Sequence, residues 1–440
     1  MVEQNIPSLS KLHDEIIKLF KNEGLDDFCY YELLNYSLEK FKKQKLDGQY
    51  YGFHNTSHEL VVTHNTLMAS RGKEFQSIIL KEDFKHLFAA ALFHDFEPDK
   101  IQDRPLEIFA ADFVTIDNTL LKLFEKCEID PHLVAILILR TTYPWESRNS
   151  EIDFMIDDHF SKSKYSTNEQ KQEHYMKLGW FLSVADRIGA YALGGFLDAM
   201  ALAKKNAHSL GWNPEYVVRE SIRFFEVLMT EEREMTDKVI LSLPKPMGDT
   251  FIYNILNFYK LRQKEIQIRS DIVFKNISLI PHLEKYDETN LEYEQKLFEI
   301  FDEIPEQLQF NKKTFFESLH DPKTILVTLR FASEDGKIIG FAKGGPLENY
   351  SLIRSIKDEN HGKFNTVFLE PLALEMGYWG HGGGSSLRKV FNDAVKKQGY
   401  SYVTSLQLRD VIQNRIDRHE NIEFVQQLNP ERLDYYRVTL

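Results

Sequence analysis

The feature that most limits what this chain can fold into is a change of hydrophobic period along its length. Through the first 270 or so residues, apolar side chains recur at three- and four-residue intervals. Examples are Leu12, Ile16, Ile17, Leu19 and Phe20, then Phe84, Leu87, Phe88, Ala91 and Leu92, then Leu133, Ile136 and Leu137. That spacing lines one face of an α-helix. Turn clusters such as Asp130-Pro131 and Trp212-Asn213-Pro214 separate the runs. Nothing here alternates convincingly with period two, so this half is expected to be all-α.

Later the period becomes two. Thr324–Phe331 reads as a strand, Glu334-Asp335-Gly336 as a turn and Ile338–Ala342 as its hairpin partner. Thr366–Glu375, Tyr400–Leu408, Ile422–Gln427 and Leu433–Thr439 are further strands. Helical patterns cover Leu291–Ile304, Ser385–Lys397 and shorter stretches near 313–319 and 411–420. The expected fold class is multidomain: an all-α domain over 1–270 followed by an α+β domain over 280–440, with the boundary between about 268 and 285.

Composition narrows the function. With 440 residues, 42% hydrophobic and 28% charged, the chain can bury a sizeable core in each domain. A formal net charge of −13 disfavours a nucleic-acid-coating role, which needs a basic face. A small anionic substrate remains compatible, since one local cluster can oppose the global sign. The longest apolar runs, such as Leu87–Phe93, fall far short of the roughly 20 residues of a spanning helix. No basic start precedes an apolar stretch, as a secretory signal requires. Cys29 and Cys127 are too few for a disulfide framework, so a reducing, cytoplasmic setting is expected.

In the helical half, Phe53-His54-Asn55-Thr56-Ser57-His58 opens a helix-like stretch, and on a helix His54 and His58 would share a face. Ala89–Asp95 ends an apolar helix with the adjacent pair His94-Asp95, and Trp180–Asp186 places one carboxylate in a helix of core residues. A bare charge there is penalised unless paired or metal-bound. Imidazole and carboxylate donors together suit a divalent ion such as Mn, Fe, Zn or Mg. Order and context make the set specific: His58, then His94-Asp95, then Asp186, all in one α domain.

This part of the chain, residues 30 to 200, resembles the HD-domain metal-dependent phosphohydrolases. The segment Phe53–His58 is similar to that of cyclic nucleotide phosphodiesterases and their small bacterial relatives. The resemblance implies that His58, His94, Asp95 and Asp186 hold a metal, with Asp95 central to catalysis. It also implies that His54 protonates the leaving oxygen of a phosphate ester, with a nucleotide or another small phosphorylated molecule as substrate. Phe96–Lys100 departs from the family's second-metal extension. Lys100, Arg104 and Arg140 are candidates for neutralising phosphate, and Glu107 occupies the place of an acidic residue near the site in small relatives.

In the later half, Tyr378–Leu387 runs as a glycine-rich turn between a strand and a helix. Trp379, Gly380, His381, Gly382, Gly383, Gly384 and Ser385 present consecutive backbone N–H groups beside a helix N-terminus, a cradle for pyrophosphate. No Lys-Ser/Thr follows the last glycine, which excludes a Walker loop. The arrangement over 285–440 resembles the GNAT N-acetyltransferases, with Gly382 and Gly384 in the glycine slots and Trp379 in the Gln/Arg slot. The resemblance implies acetyl-CoA as cofactor, an amine as acceptor, and pantetheine pairing with backbone groups of Leu374 and Glu375. It places His419 where the family keeps a tyrosine acid, and offers Glu370 and Glu375 as bases. The combined expectation is a bifunctional enzyme; the alternative is a regulatory protein that senses acyl-CoA or nucleotide without turnover. The oligomeric state is open.

Overall fold

The computed structural model describes residues 8–25, 28–46, 50, 52–97, 100, 107–143, 145, 151–210, 214–285, 291–304, 312–352, 356–370 and 372–440. It divides into two compact units: 1–210 with 219–258, and 211–218 with 259–440. No described helix is long and apolar enough to cross a membrane.

Every described regular element of the first unit is helical. Short polar side chains start the helices, as the orphan N–H groups of a first turn require. Asn55 accepts from the His58 N–H ahead of helix Thr56–Ser70. Asp130 accepts from the N–H groups of His132 and Leu133 ahead of Pro131–Leu139, with Pro131 in the first turn. Helix Lys81–Phe93 is buried at every residue from Asp83 to Phe93. It and helix Glu169–Gly189 pack against Thr56–Ser70, so three apolar helices meet in the centre of the unit. An apolar centre is where polar side chains need partners, and it houses the histidine and aspartate cluster.

The second unit is built on a sheet of β1 (Leu279–Glu284), β2 (Ile325–Phe331), β3 (Ile338–Pro346), β4 (Thr366–Leu369), β5 (Ala373–Leu374), β6 (Tyr402–Leu408), β7 (Ile422–Gln426) and β8 (Leu433–Thr439). The order is β1-β2-β3-β4-β6-β8-β7, with β5 paired to β3. Helix Gly383–Lys397 covers one face through Leu387, Phe391 and Val395, against Val327, Leu329, Val367 and Val403. Helices Leu291–Asp302 and Lys312–Leu319 cover the other through Leu297, Phe301 and Phe315.

One pairing shapes the unit. β4 and β6 are parallel, but only over Thr366↔Tyr402, Val367↔Val403 and Phe368↔Thr404. Past that point β6 continues along β8, while β5 stays with β3 through Gly340↔Leu374. The two strands therefore part and leave a wedge whose backbone groups are not shared between them.

Three expectations are corrected here. The single strand Thr366–Glu375 is two short strands, Thr366–Leu369 paired to β3 and β6 and Ala373–Leu374 paired to β3 alone. The edge strand β1 was not expected, because Pro281 and His282 interrupt its pattern; an edge tolerates proline. The division between the units falls at 258, ahead of the expected 268–285, because the second half of helix Lys245–Phe274 sends Ile268 and Ile272 into the sheet's core.

The turn before β8 is held by a buried ion pair. Asp434 is fully buried; its carboxylate accepts from Arg409 Nε at 2.6 Å, Arg409 Nη2 at 2.9 Å and the Leu428 N–H at 2.8 Å. Asp434→Ala leaves the Leu428 N–H without its acceptor and Arg409 with only the Asn429 and Leu428 oxygens, and is expected to destabilise the second unit by about 3 kcal/mol. Urea unfolding of the full chain, followed by hydrogen exchange of the strand amides, measures it.

Candidate functional sites

In the first unit the cluster is assembled from two helix ends and one helix interior. The Asn55 cap starts the helix at Thr56, so His54 lies just outside it and not on its face. It nonetheless stays close: the His54 and His58 ring centroids are 5.6 Å apart. His94 is the C-cap of helix Lys81–Phe93, and Asp95 follows it. Asp186 projects from helix Glu169–Gly189.

Four side-chain atoms converge. Asp95 Oδ2 lies 3.1 Å from His58 Nε2 and 3.1 Å from His94 Nε2. Asp186 Oδ1 lies 3.5 Å from His58 Nε2 and 3.8 Å from His94 Nε2. His54 Nε2 stands 3.7 Å from Asp95 Oδ2. Nitrogen and oxygen ligands about 2.1 Å from one ion, at right angles, lie about 3.0 Å from each other. The ligand atoms of His58, His94 and Asp95 lie within 4.8 Å of one another, close enough to share a divalent ion, and Asp186 stands farther out beside the two imidazoles. His94 Nε2 is buried and makes no aligned hydrogen bond, although two carboxylates face it. The donor set fits a metal.

Burial works against charge on His94, yet the carboxylates of Asp95 and Glu59 hold its imidazole well above the ordinary value. Burial likewise opposes a charged His58, and the hydrogen bond to Asp95 with the charge of Asp186 outweighs it. Asp95 is pushed up by burial but held well below the usual carboxylate range, chiefly by His94 and His54. Glu107 goes the other way: burial first, then the Asp95 charge, raise it. Lys100 Nζ donates to the His54 carbonyl at 3.3 Å. Arg140 is buried against the Trp145 ring at 4.1 Å, and Arg104 lies outside the described residues. Sequence reasoning missed Glu59, which is buried with Oε2 3.1 Å from His94 Nδ1. Its one signal was an acidic residue next to His58 at the start of an apolar helix.

In the second unit the glycine turn follows β5. Gly380 (φ 80°) and Gly382 (φ 78°) both take the left-handed backbone that side chains disfavour. Gly382 caps helix Gly383–Lys397, its carbonyl accepting from Ser385 and Ser386. The N–H groups of Gly383 and Gly384 belong to the first turn, which has no intrahelical acceptors for them. His381 is half-buried, which lowers its pKa, and Arg269 adds to that.

Two side chains already use this surface. Trp379 Nε1 donates to the Leu374 carbonyl at 3.1 Å. Glu215, in the short turn Pro214–Tyr216, packs on Gly380 so closely that a Cβ there would meet its Oε2 at 2.8 Å. The Glu375 N–H is committed to the Ile339 carbonyl at 2.8 Å. Its carboxylate accepts from Lys264 and Lys337, both at 2.8 Å, and from Lys296 at 3.1 Å. Burial opposes the charge, but those lysines bring its pKa down to about 2, which makes it a weak proton acceptor at neutral pH.

Glu370 sits where β4 and β6 part. It is buried, and Oε1 accepts from Lys343 Nζ at 2.7 Å and Tyr350 Oη at 2.8 Å, while Oε2 has no hydrogen bond. Lys343 is itself fully buried, which lowers its pKa against the pull of Glu370. His419 is exposed in a left-handed turn after helix Arg409–Asp417, its N–H donating to the Ile416 carbonyl at 2.8 Å.

Residues 286–416 match the acetyltransferase (GNAT) family, and the C-terminal part of the chain is a GNAT acetyltransferase domain. No curated protein matches the chain. Similar solved structures include a GNAT family N-acetyltransferase from Escherichia coli in complex with CoA, 14% identical over 37% of this chain and 82% of that one, TM-score 0.26. A second is an acetyltransferase from Salmonella typhimurium with acetyl-CoA, 13% identical over 37% of this chain and 94% of that one, TM-score 0.26. A third is an aminoglycoside 6'-N-acetyltransferase complexed with coenzyme A, 15% identical over 36% of this chain and 96% of that one, TM-score 0.26.

Gly382→Val puts a branched side chain on a backbone with φ of 78° and narrows the turn. It is expected to weaken acetyl-CoA binding at least tenfold by calorimetry, with the chain's circular dichroism unchanged. Unaltered affinity would remove the turn from the binding surface.

Proposed function

We propose that the chain is a bifunctional enzyme: a metal-dependent phosphate-ester hydrolase in the helical unit and an acetyl-CoA-dependent N-acetyltransferase in the second. For the first activity the carrying observation is the buried convergence of His58, His94 and Asp95, with the partly exposed Asp186 carboxylate beside both imidazoles. A divalent ion held there would neutralise phosphate charge and lower the pKa of water. The chain's own groups do the rest. His58 and His94 bring neutral donors, and Asp95 and Asp186 bring the charge that makes a cation welcome in an apolar centre. His54, buried beside Asp95, holds a proton for the leaving oxygen of the ester. A nucleotide or another small phosphorylated molecule is the substrate class that an imidazole-carboxylate centre of this kind serves.

For the second activity the support is the family match with the glycine turn and the parting of β4 from β6. The cradle of Gly380 to Ser385 takes the pyrophosphate, and the backbone of Leu374 and Glu375 takes the pantetheine once Trp379 swings off the Leu374 carbonyl. Glu370 Oε2, the unpartnered oxygen, accepts a proton from the acceptor amine. As the amine nitrogen bonds to the acetyl carbon, the carbon–sulfur bond breaks and His419 returns a proton to the thiolate.

One observation favours a second reading for this unit, a sensor that binds acyl-CoA without turnover: Trp379 and Glu215 both lie on the surface the cofactor needs. A sensor binds acetyl-CoA but releases no CoA thiol with any amine, whereas an enzyme releases thiol in step with acetylated amine.

Asp95→Ala removes the carboxylate that touches both ligand imidazoles. With Mn²⁺ supplied, hydrolysis of p-nitrophenyl phosphate and of a nucleotide panel is expected to fall at least a thousandfold, the helical circular dichroism being retained. Hydrolysis by the variant at the wild-type rate would place the chemistry elsewhere.

A further inference from the structure

Glu59 follows His58 directly, and consecutive helical residues are turned by about 100°. It therefore does not join His58 on the ligand side. Its carboxylate instead reaches the back of the neighbouring ligand, with Oε2 3.1 Å from His94 Nδ1. The same Nδ1 lies 2.9 Å from the Ala91 carbonyl oxygen. Carbonyl and carboxylate oxygens only accept, so Nδ1 carries a proton, and when the ring loses its second proton it is Nε2, facing Asp95 and Asp186, that is left with the lone pair. Glu59 is 2% exposed and its Oε2 has no aligned hydrogen bond. A carboxylate oxygen held this way is costly to the fold by itself. It makes sense where positive charge sits on the far side of the ring.

We infer that Glu59 is a positioning residue for His94, a carboxylate behind a ligand imidazole. It fixes the ring's tautomer and orientation together with the Ala91 carbonyl, and its charge strengthens Nε2 as a donor toward a divalent ion. The inference rests on the metal-centre reading above and adds a fifth side chain to it, one that touches neither ion nor substrate.

The test is calorimetric titration of the full chain with Mn²⁺, comparing wild type, Glu59→Gln and Asp95→Ala, with thermal unfolding of each metal-stripped protein. Glu59→Gln keeps the shape and removes the charge. It is expected to weaken Mn²⁺ binding by about 10–100-fold, while the metal-stripped variant melts at or above the wild-type temperature. A merely structural glutamate predicts the reverse: a lower melting temperature and unchanged affinity, which would overturn the inference. Wild-type Mn²⁺ affinity in Asp95→Ala, or no binding by the wild type, would overturn the metal centre and Glu59's role together. Should Glu59→Gln fail to fold, Glu59→Asp, which withdraws the charge by one methylene, must weaken Mn²⁺ binding in the same direction; unchanged affinity there equally refutes the role.

Discussion

Asp95 carries a negative charge in the apolar centre of a helical unit, and the arrangement around it follows from that burden. A buried carboxylate is tolerated only with close positive or hydrogen-bonding partners. Three imidazoles supply them, from His54, His58 and His94, and they arrive from separate places along the chain. The Asn55 cap, the end of helix Lys81–Phe93 and the wall formed by Glu169–Gly189 each fix one contribution. Asp186 and Glu59 then add two more carboxylates around the same rings. That surplus of negative charge, facing donors with available lone pairs, is what a cation would balance.

The second unit depends on a different constraint, the limited parallel pairing of β4 with β6. Three residue pairs are enough to hold the strands in one sheet and too few to close them along their length. Beyond Phe368 the backbone is left to other partners, and Glu370 falls at the point of divergence. The helix that begins at Gly383 starts against β5: a Cβ on Gly383 would meet Leu374. Trp379, whose Nε1 donates to the Leu374 carbonyl, and Glu215, packed on Gly380, share this surface with the glycine turn.

Much of this was legible in the sequence, for definable reasons. The change from helical to alternating period separated the two halves because local burial patterns follow secondary structure. The cluster residues were legible because His94-Asp95 and Asp186 interrupt otherwise apolar helices, where polar side chains stand out. What escaped were features made by distant pairing. β1 was hidden by Pro281, which only an edge position accommodates. The division into β4 and β5 depends on how β3 is shared between them. Glu59, Glu215 and the lysines around Glu375 take their meaning from residues far along the chain, and no local spacing announces them.

The most direct test of the central claim is an anomalous difference map from crystals of the full chain grown with Mn²⁺. The account predicts one strong peak about 2.0–2.2 Å from His58 Nε2, His94 Nε2, Asp95 and Asp186, with His54 outside the coordination sphere. A map with no peak among these four side chains, at Mn²⁺ concentrations that saturate the protein in solution, would contradict it.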